Sequence, residues 1–453
     1  MKLAKSKVHF IGIGGIGMCG LAELLHNMGA QVTGSDLRSN QQVEHLKTLG
    51  IDVAIGHATE NVTADMDVVV YSSAVRFNNE EFQQAKKLSI PLIPRAEALA
   101  EIMRMKRGIA VAGTHGKTTT TSLTASIFLE ANFDPTIVVG GRLDVIKSTA
   151  QLGKGEWLIA EADESDGSFS KLSPEMAIVT NIDNDHMDHY KNFHALEGAF
   201  YDFACRIPFY GCLIACGDDL NIREVYRDFS KKIIYYGFSE NNDYRLSGEL
   251  GNYKVYENSN FLGELIVPIP GKHNALNALA AVICAMQAGV EFAAASRAIE
   301  NFQGVDRRFQ KKAIKDGVSF YDDYGHHPTE IKAVVSAFKE KFPDRPLKVV
   351  FQPHRYTRTE ACWDDFLKCF EGCDKLFLMD IYPAGEAEIP GIHAKKLAES
   401  ILGVDIEYLP ATQIEQVDIK KISDQLKEGD LLLTLGAGNI WKIGEAIYAG
   451  VKL

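Results

Sequence analysis

Short apolar runs alternate along the chain with segments whose apolar positions recur at helical spacing. Val8-His9-Phe10-Ile11 is a β-type run, Met18 to Met28 has helical spacing, Gln31 to Asp36 is a second strand and Val68 to Tyr71 a third. A second start follows with the strand Gly108 to Ala112, a glycine turn and a helix from Lys117 to about Leu129, then strands at Trp157–Ala160 and Ala177–Thr180. Between Tyr235 and Val267, Asn, Gly and Ser breaks separate β-type runs, which predicts antiparallel strands attached to this second unit, and helical spacing returns from Asn274 to Ala288. A third pattern begins near Arg307, with strands Leu347–Phe351, Lys375–Met379 and Leu431–Leu435. Strand and helix in alternation predict an α/β protein of open, mostly parallel sheets, with domains at 1–106, 107–305 and 306–453. The chain has no internal repeat and no low-complexity tract.

Composition narrows the function classes. The 453 residues are 46% hydrophobic and 24% charged, with a net charge of −12. A general nucleic-acid binder or a membrane-surface protein relies on a cationic face, so neither a nucleic acid nor a membrane is expected as a partner. No apolar window approaches the length of a membrane span, and the basic start Met1 to Lys7 leads into a glycine-rich strand-to-turn rather than a cleavage site. These features predict a cytoplasmic protein. The eight cysteines include no Cys-x-x-Cys pair, which predicts reduced thiols rather than a zinc site.

Two glycine-rich loops carry the candidate chemistry. Gly12-Ile13-Gly14-Gly15-Ile16-Gly17 follows a strand and opens a helix, and Asp36 ends the next strand. Glycines there let backbone N–H groups approach a diphosphate whose charge the helix N-terminus stabilises, and Asp36 is placed for a ribose or base. The motif alone is compatible with NAD, FAD or a nucleotide sugar. The second loop, Gly113-Thr114-His115-Gly116-Lys117-Thr118-Thr119, is a shortened P-loop, with Val111 where the usual first glycine stands. Backbone amides there cradle a triphosphate, Lys117 reaches its outer phosphates and the Thr118 hydroxyl is a magnesium ligand. A lysine in the first turn of a helix opposes the dipole, so it makes more sense opposite a phosphate. Two phosphate-binding loops in one chain suggest an enzyme that uses ATP on a substrate which itself carries a diphosphate.

At this point the sequence resembles the Mur ligases, the amide-forming enzymes of peptidoglycan synthesis. The likeness spans essentially the whole chain. It rests on the Gly113–Thr119 loop, Glu161-Ala162-Asp163-Glu164-Ser165-Asp166, Asn181 through Asp185-His186-Met187-Asp188, Gly271-Lys272-His273-Asn274, Asp306-Arg307-Arg308-Phe309, Asp322-Asp323-Tyr324-Gly325-His326-His327-Pro328 and Gln352-Pro353-His354-Arg355-Tyr356-Thr357-Arg358-Thr359. The Gly12–Gly17 loop, the Tyr324–His327 stretch and the Arg355/Arg358 pair point to the branch that adds L-alanine. Later Mur ligases carry a carboxylated lysine some fifteen residues after the histidine, where this chain reads Gly198-Ala199-Phe200-Tyr201, as the alanine-adding branch does.

The resemblance implies a Rossmann-like N-terminal domain, a P-loop ATPase-like central domain and a Rossmann-like C-terminal domain. It implies an ATP-dependent ligase that joins L-alanine to UDP-N-acetylmuramate through an acyl phosphate, with Mg²⁺ as cofactor and Mn²⁺ as a compatible substitute. By the same resemblance, Gly113, Thr114, His115, Gly116, Lys117, Thr118, Thr119, His273, Asn274 and Arg307 bind ATP, and Thr118, Glu161 and His186 hold metal. Gly14, Gly15, Ile16, Gly17, Asp36, Ser72 and Ser73 bind the UDP-sugar, with Arg76 and His57 as weaker candidates. Tyr324, His326, Arg355 and Arg358 form the amino-acid site, with Lys117, His326 and Arg355 in catalytic roles, while His327 before Pro328 caps or packs. A monomer and a homodimer are both compatible with this reading.

Overall fold

The computed structural model describes residues 4–72, 74–143, 146 and 148–451. Ser73 lies outside them. The chain forms three sheets and divides into two compact units. The first unit spans 1–247, 254–265 and 276–303; the second spans 248–253, 266–275 and 304–453.

The first sheet contains β1 (Lys7–Ile11), β2 (Gln31–Asp36), β3 (Asp52–Ile55), β4 (Val68–Tyr71) and β5 (Leu92–Pro94), in the order β3-β2-β1-β4-β5. Every pairing in it is parallel. The run Val68–Tyr71 is thus the fourth strand, because Asp52–Ile55 is a further one. That strand escapes a pattern reading because it is four residues long with both ends exposed. The strand order reverses at β1, and its carboxyl end is where Gly12–Gly17 opens into helix α1 (Ile16–Asn27). In parallel open sheets such a crevice is where ligands bind.

The second sheet has ten strands. From the edge, β15 (Asn260–Ile266), β14 (Asn252–Glu257), β13 (Tyr244–Glu249) and β12 (Ile233–Gly237) come first. They are followed by β11 (Cys212–Cys216), β10 (Met176–Val179), β6 (Arg107–Ala112), β9 (Trp157–Glu161), β7 (Thr136–Leu143) and β8 (Ser148–Gln151). The expected strand-rich extension is there, yet β12 pairs with β13 in parallel, Tyr236 opposite Tyr244 and Gly237 opposite Arg245. The central strands are buried on both faces, which suits their uninterrupted apolar sequences. Strand β6 lies between β9 and β10, with Val111 opposite Glu161 and Ala112 opposite Val179. That register brings the carboxyl ends of three strands to one edge, where the P-loop leads into helix Lys117–Glu130.

The third sheet runs β16 (Gln310–Lys315), β17 (Val318–Asp323), β21 (Leu431–Leu435), β18 (Leu347–Phe351), β19 (Lys375–Met379) and β20 (Asp405–Leu409). Only β16 pairs antiparallel among these strands. Two apolar layers sandwich it, one around Phe338, Phe366 and Phe370, the other around Phe320, Phe377 and Ile443. All eight cysteines are free thiols, and no helix among the described residues is long and apolar enough to cross a membrane.

Candidate active site

The P-loop is clamped by the segment after β10. His115 donates its backbone N–H to Asn181 Oδ1 at 2.8 Å, and Thr180 Oγ1 and Asn181 Nδ2 both donate to the His115 carbonyl, at 2.6 and 3.0 Å. Asp183 donates its N–H to Thr114 Oγ1 at 2.9 Å and holds His115 Nε2 at 3.0 Å. Gly113 has φ +131°, and a Cβ there would stand 2.0 Å from Thr180 Oγ1. Gly116 is left-handed, and a Cβ on it would meet the Asn277 amide at 2.8 Å. The loop therefore needs glycine at both positions for backbone conformation and for room.

Lys117 folds back over this loop. Its Nζ donates to the Gly113 carbonyl at 2.7 Å, the Thr114 carbonyl at 3.1 Å and Glu164 at 2.8 Å. Burial alone would lower the Lys117 pKa, but Glu164, Asp163 and Glu161 outweigh it and hold the ammonium above its ordinary value. Asp163 shows the reciprocal effect: burial raises its pKa, and the neighbouring Lys117 and Arg95 charges help bring it below normal. Glu161 ends β9 and is half-buried, whereas Glu164 is wholly buried. His186 takes a left-handed conformation, φ +61°, at the start of a short helix, and its Nε2 lies 3.3 Å from Glu164 Oε1. Thr118, Thr119 and the half-buried Glu161 share this edge. A hydroxyl and several carboxylates are hard oxygen donors, so the donor set fits Mg²⁺; His186 is the softer exception.

The first glycine loop is arranged around Asp36. Gly14 donates its N–H to Asp36 Oδ2 at 2.9 Å, and Asn40 Nδ2 donates to the Gly14 carbonyl at 3.0 Å. Gly15 is the N-cap of α1, and Ile16 is exposed. Ser72 sits beside Gly12, 3.3 Å from where a Cβ would be. His57 Nδ1 is 2.9 Å from the Ser35 hydroxyl and 3.4 Å from the buried Glu81, so it belongs to a buried polar network.

In the second unit, Tyr324 and His326 leave β17 while His354, Arg355 and Arg358 follow β18, two strands that both flank β21. The rings of Tyr324 and His326 meet edge-on at 5.5 Å, and those of His326 and His354 lie 6.2 Å apart. His326 Nδ1 is 3.1 Å from the Tyr324 carbonyl. A carbonyl only accepts, so Nδ1 carries the proton and Nε2 is the basic nitrogen. Arg355 has φ +73°, donates its N–H to the Tyr382 carbonyl at 2.8 Å and has a long contact to Glu386, 3.9 Å. His327 caps the helix Pro328–Lys341 in a capping box with Glu330, as its place before proline predicts.

His273 and Asn274 lie in the first turn of helix Lys272–Gln287, where Asn274 Nδ2 donates to the Pro270 carbonyl at 2.8 Å. Burial, then Arg308, lowers the His273 pKa to about 4, so its ring is neutral. Arg307, expected to reach phosphate, is otherwise engaged. It pairs with buried Asp322 at 2.8 Å and donates to the carbonyls of Gly436 and Gly438 at 2.6 and 2.9 Å. A guanidinium that satisfies this many acceptors within its own unit anchors the segment 306–309 there.

Comparison with known proteins decides the family. The profile described as Mur ligase family, catalytic domain, matches residues 7–107; the Mur ligase middle domain matches 111–285; and the Mur ligase, glutamate ligase domain matches 307–438. The chain belongs to the Mur ligase family. It is 56% identical over 450 residues to UDP-N-acetylmuramate–L-alanine ligase of Bdellovibrio bacteriovorus, covering 98% of each chain. It is 48% identical to the protein of that name from Oleidesulfovibrio alaskensis, again over 98% of each. A solved UDP-N-acetylmuramate–alanine ligase from Thermotoga maritima superposes with a TM-score of 0.82 at 27% identity, covering 98% of both chains. A murein peptide ligase from Psychrobacter arcticus shares the fold, TM-score 0.74 at 23% identity.

Within this Mur ligase several residues at the site carry no sequence signal of their own. Glu164 sits inside the acidic run, where only burial separates it from Asp163 and Asp166. Asn277 is one helical turn beyond Asn274, and that spacing alone could have placed both on one face. His354 lies within a quoted motif, but its stacking on Tyr382 at 5.4 Å is tertiary. Burial, then Arg358 and Arg355, lowers its pKa to about 4. Arg95, at the start of helix α4 (Arg95–Met103), is separated from every motif in the sequence.

Proposed function

We propose that this chain is an ATP-dependent carboxylate–amine ligase that joins L-alanine to the lactyl carboxylate of UDP-N-acetylmuramate, giving ADP and phosphate. The observation that carries the reading is the 56% identity along the chain to an enzyme of that name. The sites supply the means. A carboxylate does not lose oxide to an amine at a useful rate, so it is first phosphorylated by ATP. The alanine amine then attacks the acyl phosphate, and the tetrahedral intermediate expels phosphate.

Lys117 exchanges loop carbonyls and Glu164 for the γ-phosphate, whose charge grows during transfer. Gly113 to Thr119 supply amides and hydroxyls for the remaining phosphates, with His273 and Asn274 on the adenine side. Thr118, Glu161 and His186 would hold Mg²⁺ (or Mn²⁺), which neutralises phosphate charge when bound. Gly14, Gly15, Ile16 and Gly17 hold the UDP diphosphate, while Asp36 and Ser72 take its nucleoside and sugar. Arg355 and Arg358 bind the alanine carboxylate and Tyr324 packs beside it. His326 Nε2 accepts a proton from the alanine ammonium.

On this reading the tasks divide at 1–106 for the sugar nucleotide, 107–305 for ATP and 306–453 for the amino acid. A monomer and a homodimer fit equally, and substrates of this kind place the enzyme in the cytoplasm. Phosphate release is expected only when ATP, UDP-N-acetylmuramate and L-alanine are all present. Phosphate release that depends instead on a preformed tripeptide would turn the assignment to a recycling ligase.

A further inference from the structure

The last glycine of the first loop, Gly17, makes room for a cation. A Cβ at Gly17 would stand 3.0 Å from Arg95 Nη1 and 3.4 Å from its Cδ and Cζ, so the guanidinium packs directly on the glycine backbone. Arg95 is itself the first residue of α4, after the N-cap Pro94, and its side chain is three-quarters buried. It therefore sits in the first turn of its own helix and against the first turn of α1. A positive charge opposes the dipole at both places, and these end effects are felt within a single turn. The carboxylate given to it is Asp163, with Arg95 Nη2 3.6 Å from Asp163 Oδ2, beyond hydrogen-bond length and on a 41% exposed side chain. The pair helps lower the Asp163 pKa, yet at this length it is an electrostatic contact and not a hydrogen bond. A largely buried guanidinium held against two positive helix ends, with one long carboxylate contact among the described residues, is arranged for an anion that arrives later.

The geometry points to Arg95 as a binding residue for the diphosphate of the sugar nucleotide, a role that rests on the proposed function of the Gly12–Gly17 loop. That loop offers backbone N–H groups, and those of Gly12, Ile13, Gly14 and Gly15 already donate within the fold, Gly14 to Asp36. A doubly charged diphosphate gains more from a planar guanidinium, which meets two of its oxygens at once, than from amides by themselves. Asp36 lies against Gly14 and Arg95 against Gly17, so the two side chains meet the loop at different positions. Its other neighbour, Asp163, stands between Glu161 and Glu164 in the acidic run beside Lys117. Arg95 thus links the sugar-nucleotide loop to the ATP loop through side chains of a single compact unit.

The test is calorimetric binding of UDP, UDP-N-acetylmuramate and ATP, separately, to wild type, Arg95→Ala and Arg95→Lys of the full chain. Arg95→Ala is expected to weaken UDP and UDP-N-acetylmuramate alike, by about tenfold to a hundredfold, the scale of one charge-assisted contact. Arg95→Lys should recover part of the loss, since it keeps charge but not the fork. ATP binding to the same samples should be unchanged, which also shows that the variants are folded. A loss confined to UDP-N-acetylmuramate, with UDP unaffected, would overturn the inference and place Arg95 against the sugar's carboxylate. Unchanged binding of both ligands would overturn it too, and a parallel loss of ATP would reduce Arg95 to a structural residue. Wild type that binds ATP but neither uridine ligand would remove the reading of the glycine loop itself, and this inference with it.

Discussion

Lys117 and Glu164 form the most enclosed ion pair of the ATP site, with side chains 16% and 0% exposed and 2.8 Å between charged atoms. Replacing Lys117 by Met removes one partner and leaves the Glu164 carboxylate buried beside Asp163 and Glu161. Breaking a pair of this sort from one side costs about 3–5 kcal/mol, because the buried carboxylate loses its ammonium and is left with the His186 ring at 3.3 Å and no solvent. Glu164→Gln keeps an acceptor for Lys117 and relieves the crowding of carboxylates, so about 1–3 kcal/mol is expected. In Lys117→Met/Glu164→Gln neither charge is left alone, and the double variant should fall short of the summed cost by about 1–3 kcal/mol. Urea unfolding followed by Trp157 fluorescence, in a background with Trp363 and Trp441 replaced by Phe, measures this. Trp157 is fully buried in β9, the strand that carries Glu161. Phosphate release should stay at least ~100-fold down in the double variant although its stability recovers, since no cation reaches the γ-phosphate. Costs that add to within ~0.5 kcal/mol would refute the pairing as the source of the effect.

Gly113, Arg355 and Asp323 each give a further testable outcome. Gly113→Ala places a methyl group 2.0 Å from Thr180 Oγ1 at φ +131°, so ATP should bind more than ~10-fold more weakly; stabilisation of this variant by ATP equal to wild type in a thermal melt would contradict the clamp. Arg355→Ala should raise the KM for L-alanine with a smaller change in kcat, and an unchanged alanine KM would remove Arg355 from that site. Burial raises the Asp323 pKa to about 6, against the opposing pull of Arg308 and of the N–H groups of Phe309 and Gly325. A carboxyl raised on folding favours the folded state below its unfolded pKa of 3.8, and that advantage is lost as pH rises through about 6. Asp323→Asn should therefore flatten the stability change of the second unit between about pH 4 and 6. Hydrogen exchange at β17 that kept its wild-type pH dependence would exclude Asp323 as the cause.

The α/β class, most strands and both glycine loops are legible in the chain before it folds. The buried parallel strands are continuous apolar runs, and Gly-x-Gly or Gly-Lys-Thr leaves little local choice about what the backbone does. Gly113 and Gly116 are legible because the demand for glycine is local. His327 is legible because a residue before Pro328 has few options. Tertiary structure alone decided which charged side chains lose their water. Glu164 and Asp166 look alike in an acidic run, yet only Glu164 is wholly enclosed, where it meets Lys117 and His186. Arg307 and Arg308 are adjacent, and only the fold commits Arg307 to Asp322 and the carbonyls after β21. Arg95 stands far from any motif and becomes visible only where Gly17 leaves space for it. Composition behaves likewise: a net charge of −12 sums over the whole chain. The proposed work is done by a few cations whose positions the packing sets, because electrostatic energy depends on distance and burial, which a one-dimensional sequence does not hold.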